Sequence, residues 1–204
     1  MRIDSAKFGK MNYLACFPND FCEGKKYPVI IHLHGAGSRG NDVEVLKKQS
    51  IIQYAQSSSD FPFVMFLPQC NAKYWEDVYE QLKALIYHVK ELSFIDPERI
   101  FLSGVSMGGI ASWHLLISEN HIFQKAIICC GAGMYWRLAS VKAKVWAFHG
   151  TEDLTAVPYD AGKKMIDEMK RLGKEIKFTA YEGMGHNIWD ITYSNPEIYQ
   201  WLLS

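Results

Sequence analysis

Hydrophobic positions in this chain follow two rhythms. Short runs dense in Val, Ile, Leu and Phe, most closing on a glycine or proline, alternate with stretches in which apolar residues recur every three or four positions. The short runs read as strands: "PVIIHLHG" (28–35), "FPFVMFLPQ" (61–69), "RIFLSGVS" (99–106), "KAIICCGAG" (125–133), "KVWAFHGTED" (144–153) and "EIKFTAYEG" (175–183). Between them, Val78, Leu82, Leu85, Ile86 and Val89 share one face of a helix. So do Ala161, Met165, Met169 and Leu172, with Gly173 as a stop. "MNYLACFP" near the start predicts one more strand, at an edge of the sheet. The middle runs show almost no polar alternation, which suits parallel strands covered on both faces. No repeat, low-complexity tract or linker interrupts the pattern. The expectation is one α/β domain over residues 1–204, with a mostly parallel central sheet and helices on both faces.

The run at 99–106 ends unusually. It continues as "FLSGVSMGGIAS", where Gly104, Ser106 and Gly108 fit G-x-S-x-G, and an apolar helix begins at once. A strand turning directly into a helix leaves little room for flanking side chains. Glycine on both sides removes the clash and exposes the serine hydroxyl above the sheet edge. Ser106 would then lie at the carboxyl end of a central parallel strand, where open α/β sheets form their ligand crevices.

A serine hydroxyl needs a base to take its proton and an acid to orient that base. On such a sheet the expected chain order is Ser, then Asp or Glu, then His. Of seven histidines, His88 and His114 fall within helical patterns and His121 near a helix end. His32 and His34 precede the serine, and His149 leaves little chain for an acid before it. His186, in the glycine-rich "YEGMGHNIWD" after the last strand, is the candidate base. The loop after "KVWAFHG" offers Glu152 and Asp153 as the acid, with Asp153 preferred and Asp190 as an outside candidate. Oxyanion donors are expected from the backbone N–H of Met107, at a helix N-terminus, and of Ala36 in "HLHGAGSRGND", with Gly35 as the near alternative. That glycine-rich loop lacks the lysine of a phosphate-binding loop. His32 and His34 have no third ligand at metal-site spacing, and a structural role fits them better.

Composition narrows the partners. Lys plus Arg and Asp plus Glu both total 22, giving zero formal charge, and no basic stripe marks a nucleic-acid surface. The longest apolar runs, "FVMFL" and "AIICC", are too short to span a bilayer. The N-terminal "MRIDSAKFGKMNYLACF" lacks the apolar core and cleavage site of a signal peptide, so the expected location is cytoplasmic. Five cysteines (Cys16, Cys22, Cys70, Cys129, Cys130) form no C-x-x-C pair and read as free, mostly buried thiols. Cys129 and Cys130, adjacent in a strand pattern, are expected on opposite faces.

As an ordered ensemble, "YPVIIHLHGAGSRGND", "LPQC", "DPERIFLSGVSMGGIASW", "VWAFHGTED", "GMGHNIWD" and the tail "NPEIYQWLLS" resemble the α/β-hydrolase superfamily. More narrowly they are similar to its small capless carboxylesterases. That group takes in phospholipase/carboxylesterases, prolyl-oligopeptidase-like proteins, and feruloyl and acetyl-xylan esterases, and it shades into dienelactone-hydrolase-like enzymes. The resemblance implies a serine esterase with Ser106, Asp153 and His186 as its triad, no metal or organic cofactor, and a small-molecule ester as substrate. Two features depart from it. The acid loop "DLTAVP" is one residue longer than the usual D-x-V-V-P, and the N-terminal stretch does not read as the leader of the secreted polysaccharide esterases, so an extracellular polysaccharide is not the expected substrate. Trp75 and Trp189, and with them Tyr135 and Trp136, fall in or near crevice-facing loops. There they would either grip a phenolic or sugar-bearing ester or pack the rim. Trp113, within the post-serine helix, reads as structural. Two rival functions remain at this level. A prolyl-oligopeptidase-like peptidase usually carries a gating domain for which this sequence has no room, and a non-catalytic binding module would have a broken triad. The 11 residues "GMYWRLASVKA" (133–143) are too few for a lipase-type cap, which predicts an open cleft and a preference for short acyl groups.

Overall fold

A computed structural model of the chain describes residues 1–204. Eight strands form one sheet in the order β1-β2-β4-β3-β5-β6-β7-β8. They are β1 Arg2–Phe8, β2 Met11–Phe17, β3 Tyr27–Leu33, β4 Val64–Pro68, β5 Ile95–Val105, β6 Lys125–Cys129, β7 Lys144–Gly150 and β8 Ile176–Tyr181. From β4 through β8 every pairing is parallel, while β1–β2 and β2–β4 are antiparallel. The helices are α1 Ser50–Ser57, α2 Tyr79–Lys90, α3 Met107–Ser118, α4 Tyr159–Arg171, α5 Trp189–Tyr193 and α6 Glu197–Leu203.

Each inner strand feeds two cores because its side chains alternate between faces. Along β3, Val29, Ile31 and Leu33 join one core while Ile30 joins the other. Along β6, Ala126 and Ile128 face one way and Ile127 and Cys129 the other. The first core is closed by α2, α3 and α4 through residues such as Leu82, Leu85, Leu116 and Met165. The second is closed by α1, α5 and α6 through Ile51, Ile52, Tyr193 and Ile198. Burial on both faces explains why β3, β4 and β6 are apolar almost without interruption.

Two expectations are corrected here. "MNYLACFP" does form a strand, β2, but not at the edge. The edge belongs to β1, which pairs with β2 through a two-residue hairpin turn at Gly9 and Lys10. β1 escapes hydrophobic patterning because most of its side chains are exposed. The readable signal was the turn, with Gly9 at φ 58° in the first central position. The second concerns Cys129 and Cys130, which lie in the same core. Cys130 sits just past the end of β6 with φ 47°, and that backbone turn breaks the strand's alternation. All five cysteines are free thiols, and only Cys22 is exposed. No helix is long and apolar enough to cross a membrane.

Candidate active site

The turn from β5 into α3 sets Ser106 in an unusual backbone conformation, φ 55° and ψ −116°. Such a conformation costs about 1–3 kcal/mol in a residue with a side chain, and it persists only where surroundings enforce it. They do so here. The Ser106 N–H donates to the Cys129 carbonyl at 2.9 Å, and the Ser106 carbonyl accepts from the Ile110 N–H at 2.9 Å. The flanking glycines permit the close packing. A Cβ on Gly104 would stand 2.3 Å from the Gly108 carbonyl oxygen, and one on Gly108 would stand 2.0 Å from the Leu33 oxygen. G-x-S-x-G is thus a packing requirement between β5, α3 and the end of β3.

Three loops at the carboxyl ends of the strands converge on the hydroxyl. His186, after β8, places Nε2 at 2.8 Å from Ser106 Oγ. Its Nδ1 lies 2.5 Å from Asp153 Oδ2, after β7. With the carboxylate accepting at Nδ1, the proton sits there and Nε2 is left to accept from the serine. Asp153 is buried, Ser106 and His186 half-buried. Of the three carboxylates weighed from the sequence, only Asp153 touches His186. Glu152 points to solvent, and Asp190 accepts a hydrogen bond from Ser50 Oγ on α1.

The loop after β3 brings up the other wall. The Gly35–Ala36 peptide is held by two donors on the Gly35 carbonyl, His34 Nδ1–H at 2.7 Å and the Ser38 N–H at 3.2 Å. A trans peptide points its N–H opposite to its carbonyl, so these bonds aim the Ala36 N–H the other way. Ala36 and Met107 are each the first residue of a helical turn, so neither N–H has an acceptor within its own helix. Gly35 abuts Ser106, since a Cβ there would lie 3.5 Å from Ser106 Cβ. His34 is itself fixed by accepting at Nε2 from the Cys70 N–H at 3.0 Å. Burial holds its pKa down to about 4. His32 contacts Ser103 Oγ at 3.1 Å and Gln49 Oε1 at 3.4 Å, and burial pushes it down to about 3. Both are neutral structural imidazoles near pH 7.

The cleft above Ser106 has a volume of about 450 Å³ and is lined by Gly35 to Ser38, Gln49, Val105, Ala156 and Trp189 besides Ser106 and His186. Trp189 stands edge-on to His186, ring centroids 5.7 Å apart. Trp75 does not line the cleft. It is fully buried beneath the loop after β3, with its Nε1–H donating to the His34 carbonyl at 3.2 Å, so it packs the support of that loop, while Trp189 lines the cleft. Tyr135 and Trp136 are exposed and meet edge-to-face outside the lining. Between β6 and β7 the chain forms only a 3-10 turn, Tyr135–Ser140, and no cap helices.

Several site residues carried no motif in the sequence. Gln69, buried at the end of "LPQ", donates from Nε2 to the Ser38 carbonyl at 3.0 Å and the Asp42 carbonyl at 2.9 Å, which pins the loop after β3. Gln49 donates to Ser38 Oγ at 2.9 Å and forms a polar end to the cleft. The only sequence signal for Gln69 is a polar residue closing an apolar strand. Cys130, His149 and Asp153 bring ligand-type atoms within 4.8 Å of one another, but each is already committed. The His149 Nε2–H donates to the Val157 carbonyl at 2.8 Å, the Cys130 thiol to the His186 carbonyl at 3.3 Å, and Asp153 accepts from His186. That donor set does not fit a cation.

A family model described as phospholipase/carboxylesterase matches residues 58–194, more than half of the chain. Carboxylesterase SOBER1 of Arabidopsis thaliana is 25% identical over 201 residues, which is 83% of this chain and 85% of that protein. Acyl-protein thioesterase 1 of Gibberella zeae is 33% identical over 107 residues, 47% of this chain and 44% of that one. Among solved structures, a thermostable esterase superposes with a TM-score of 0.85 at 25% identity over 99% of this chain. The chain spans 62% of that enzyme's length.

Proposed function

This chain belongs to the phospholipase/carboxylesterase family of α/β-hydrolases, and from that premise we propose that it is a serine carboxylesterase working through an acyl-serine intermediate on short-chain or carbohydrate- and phenol-bearing esters. The observation that carries the reading is the unbroken relay from Asp153 Oδ2 through both nitrogens of His186 to Ser106 Oγ, opening on an uncapped cleft.

The chemistry follows from that relay. Ser106 Oγ forms a bond to the ester carbonyl carbon while its proton passes to His186 Nε2. The displaced carbonyl electrons settle on oxygen, where the N–H groups of Ala36 and Met107 receive them. Collapse of this intermediate breaks the bond to the leaving alcohol, which takes the proton from Nε2. Water then repeats the sequence against the acyl-serine. It gives one proton to His186 Nε2 and its hydroxyl to the acyl carbon, and as the bond to Ser106 breaks and the carboxylic acid leaves, Nε2 passes that proton to Ser106 Oγ. Asp153 stays ionised and steadies the transient imidazolium.

The same steps would cleave a thioester, and the likeness to an acyl-protein thioesterase makes an acyl-protein thioester the second reading. What favours short acyl groups is the shape of the cleft. Its apolar lining is Val105, Ala36, Ala156 and Trp189, with Gln49 and Ser38 adding polar groups. Full burial of one CH₂ stabilises by about 0.8 kcal/mol, and an open wall realises only a fraction of that per methylene. A series of p-nitrophenyl esters tests this. Efficiency should peak between acetate and butyrate, whereas a steady climb to dodecanoate would establish the lipid or acyl-protein reading instead.

A further inference from the structure

Asp153 is flanked by two histidines, and the mechanism uses only one. His186 meets its carboxylate from the cleft side. His149, at the end of β7 and fully buried, meets it from behind, with Nε2 at 3.4 Å from the Oδ2 that His186 holds. The same Nε2–H donates to the Val157 carbonyl at 2.8 Å. The ring therefore meets both ends of the acid loop, bonded to Val157 and in contact with the Asp153 carboxylate. Those ends are buried, whereas Leu154, Thr155 and Ala156 between them are exposed. The loop closes further through the Val157 N–H to Asp153 Oδ1 at 3.4 Å and the Tyr159 N–H to the Asp153 carbonyl at 2.7 Å.

We propose that His149 is a positioning residue for the reaction, a staple that fixes the carboxylate of Asp153 at the base of the exposed acid loop. The proposal rests on Asp153 and His186 acting as the triad's acid and base. The imidazole has a made-to-measure seat. A Cβ on Gly162 of α4 would lie 2.3 Å from His149 Nδ1, so that position must be glycine for the ring to fit, and Tyr159 meets the ring edge-on at 5.8 Å. The Val157 carbonyl can only accept, so the ring's proton is on Nε2, facing Val157 and Asp153. Burial lowers the His149 pKa, so the ring donates a hydrogen bond without placing a second cation beside the carboxylate. The exposure of Leu154, Thr155 and Ala156 gives this staple its purpose. A loop tip with no packing of its own leaves its carboxylate free to move, and His149 removes that freedom from the buried side.

The test is a double-mutant cycle on the full chain. His149→Leu removes the donor at similar volume. It is expected to lower kcat on the order of 10- to 100-fold, as a misplacement near 1 Å does, with KM within about twofold. His149→Gln, whose amide nitrogen reaches the place of Nε2, should recover most of kcat, whereas His149→Asn, which stops short, should not. In an Asp153→Asn background, His149→Leu should change kcat less than about twofold, because its effect runs through that carboxylate. Equal fold-losses in both backgrounds would overturn the staple and leave a general packing role. Should the leucine variant fail to fold, equal kcat for the glutamine and asparagine variants overturns it instead. If Asp153→Asn alone leaves kcat intact, the triad reading itself has failed, a result distinct from either.

Discussion

Replacing Gly108 by alanine is the smallest change that tests how Ser106, the proposed nucleophile, is held. The new Cβ would lie 2.0 Å from the Leu33 carbonyl oxygen and 2.8 Å from that of His34. Carbon–oxygen contacts settle at about 3.3 Å or more, so the start of α3 and the end of β3 must part by more than about 1 Å. Both obstacles are backbone, and no side chain can rotate away to relieve them. Overpacking of this kind costs about 3 kcal/mol at its upper range, and the better helix propensity of alanine offsets about 1. A net loss of about 2 kcal/mol in a domain of this size lowers Tm by roughly 4–8 °C. Function should suffer more. The same displacement separates Ser106 and Met107 on α3 from the loop carrying Ala36, and about 1 Å of misplacement costs roughly 100-fold in rate. Thermal melts with initial rates on p-nitrophenyl acetate make the comparison. Gly37→Ala, where a Cβ meets nothing within 4 Å, serves as the stability control. If Gly108→Ala kept the wild-type Tm and rate, the packing account of G-x-S-x-G would be wrong.

Three further outcomes are expected. Ser106→Gly should abolish ester turnover yet raise Tm, because glycine relieves a positive φ that costs about 1–3 kcal/mol in serine; a lower Tm would show that no strain is stored there. Asp153→Asn should lower kcat by about 10³–10⁴-fold through the wrong imidazole tautomer, while Glu152→Gln and Asp190→Asn stay near wild type; a crippled Glu152→Gln would move the acid by one residue. Acid should unfold the protein through His32 and His34, whose folded-state pKa values of about 3 and about 4 lie below the ordinary imidazole value of 6.5. The unfolded chain therefore takes up protons first, and stability that is complete above pH 6.5 is lost as the pH falls towards 4. At about 1.4 kcal/mol per unit per group, the two give on the order of 4 kcal/mol lost by pH 5. Equal urea midpoints at pH 7 and pH 5 would refute it.

What the sequence disclosed follows burial. β3, β4 and β6 were legible because both faces are covered, and α2 and α4 because one face is. β1 was not, since a strand with a mostly exposed surface has no apolar period to read. α1, α5 and α6 were missed for a different reason. At 8, 5 and 7 residues they are too short for a helical repeat to stand out from a polar loop. In the site, Ser106 was announced by its glycines, because close backbone packing forces a residue choice. Asp153 and Glu152 are adjacent and chemically alike, and only the path of the loop decides which one turns inward. Trp75 shows the limit most sharply. Its position after "LPQC" suits the rim or the interior equally, and the His34 carbonyl that takes its N–H lies 41 positions away in sequence.

The claim at the centre of the account is that Ser106 carries the acyl group, and covalent labelling with mass spectrometry reads that directly. Incubation with a fluorophosphonate, followed by intact-mass and peptide analysis, should give one adduct per chain on the peptide holding Ser106. His186→Ala should slow that labelling severely, and Ser106→Ala should show no adduct and less than about a hundredth of the wild-type esterase rate. An adduct mapped to another residue, or a Ser106→Ala variant keeping more than about a tenth of the activity, would contradict the account.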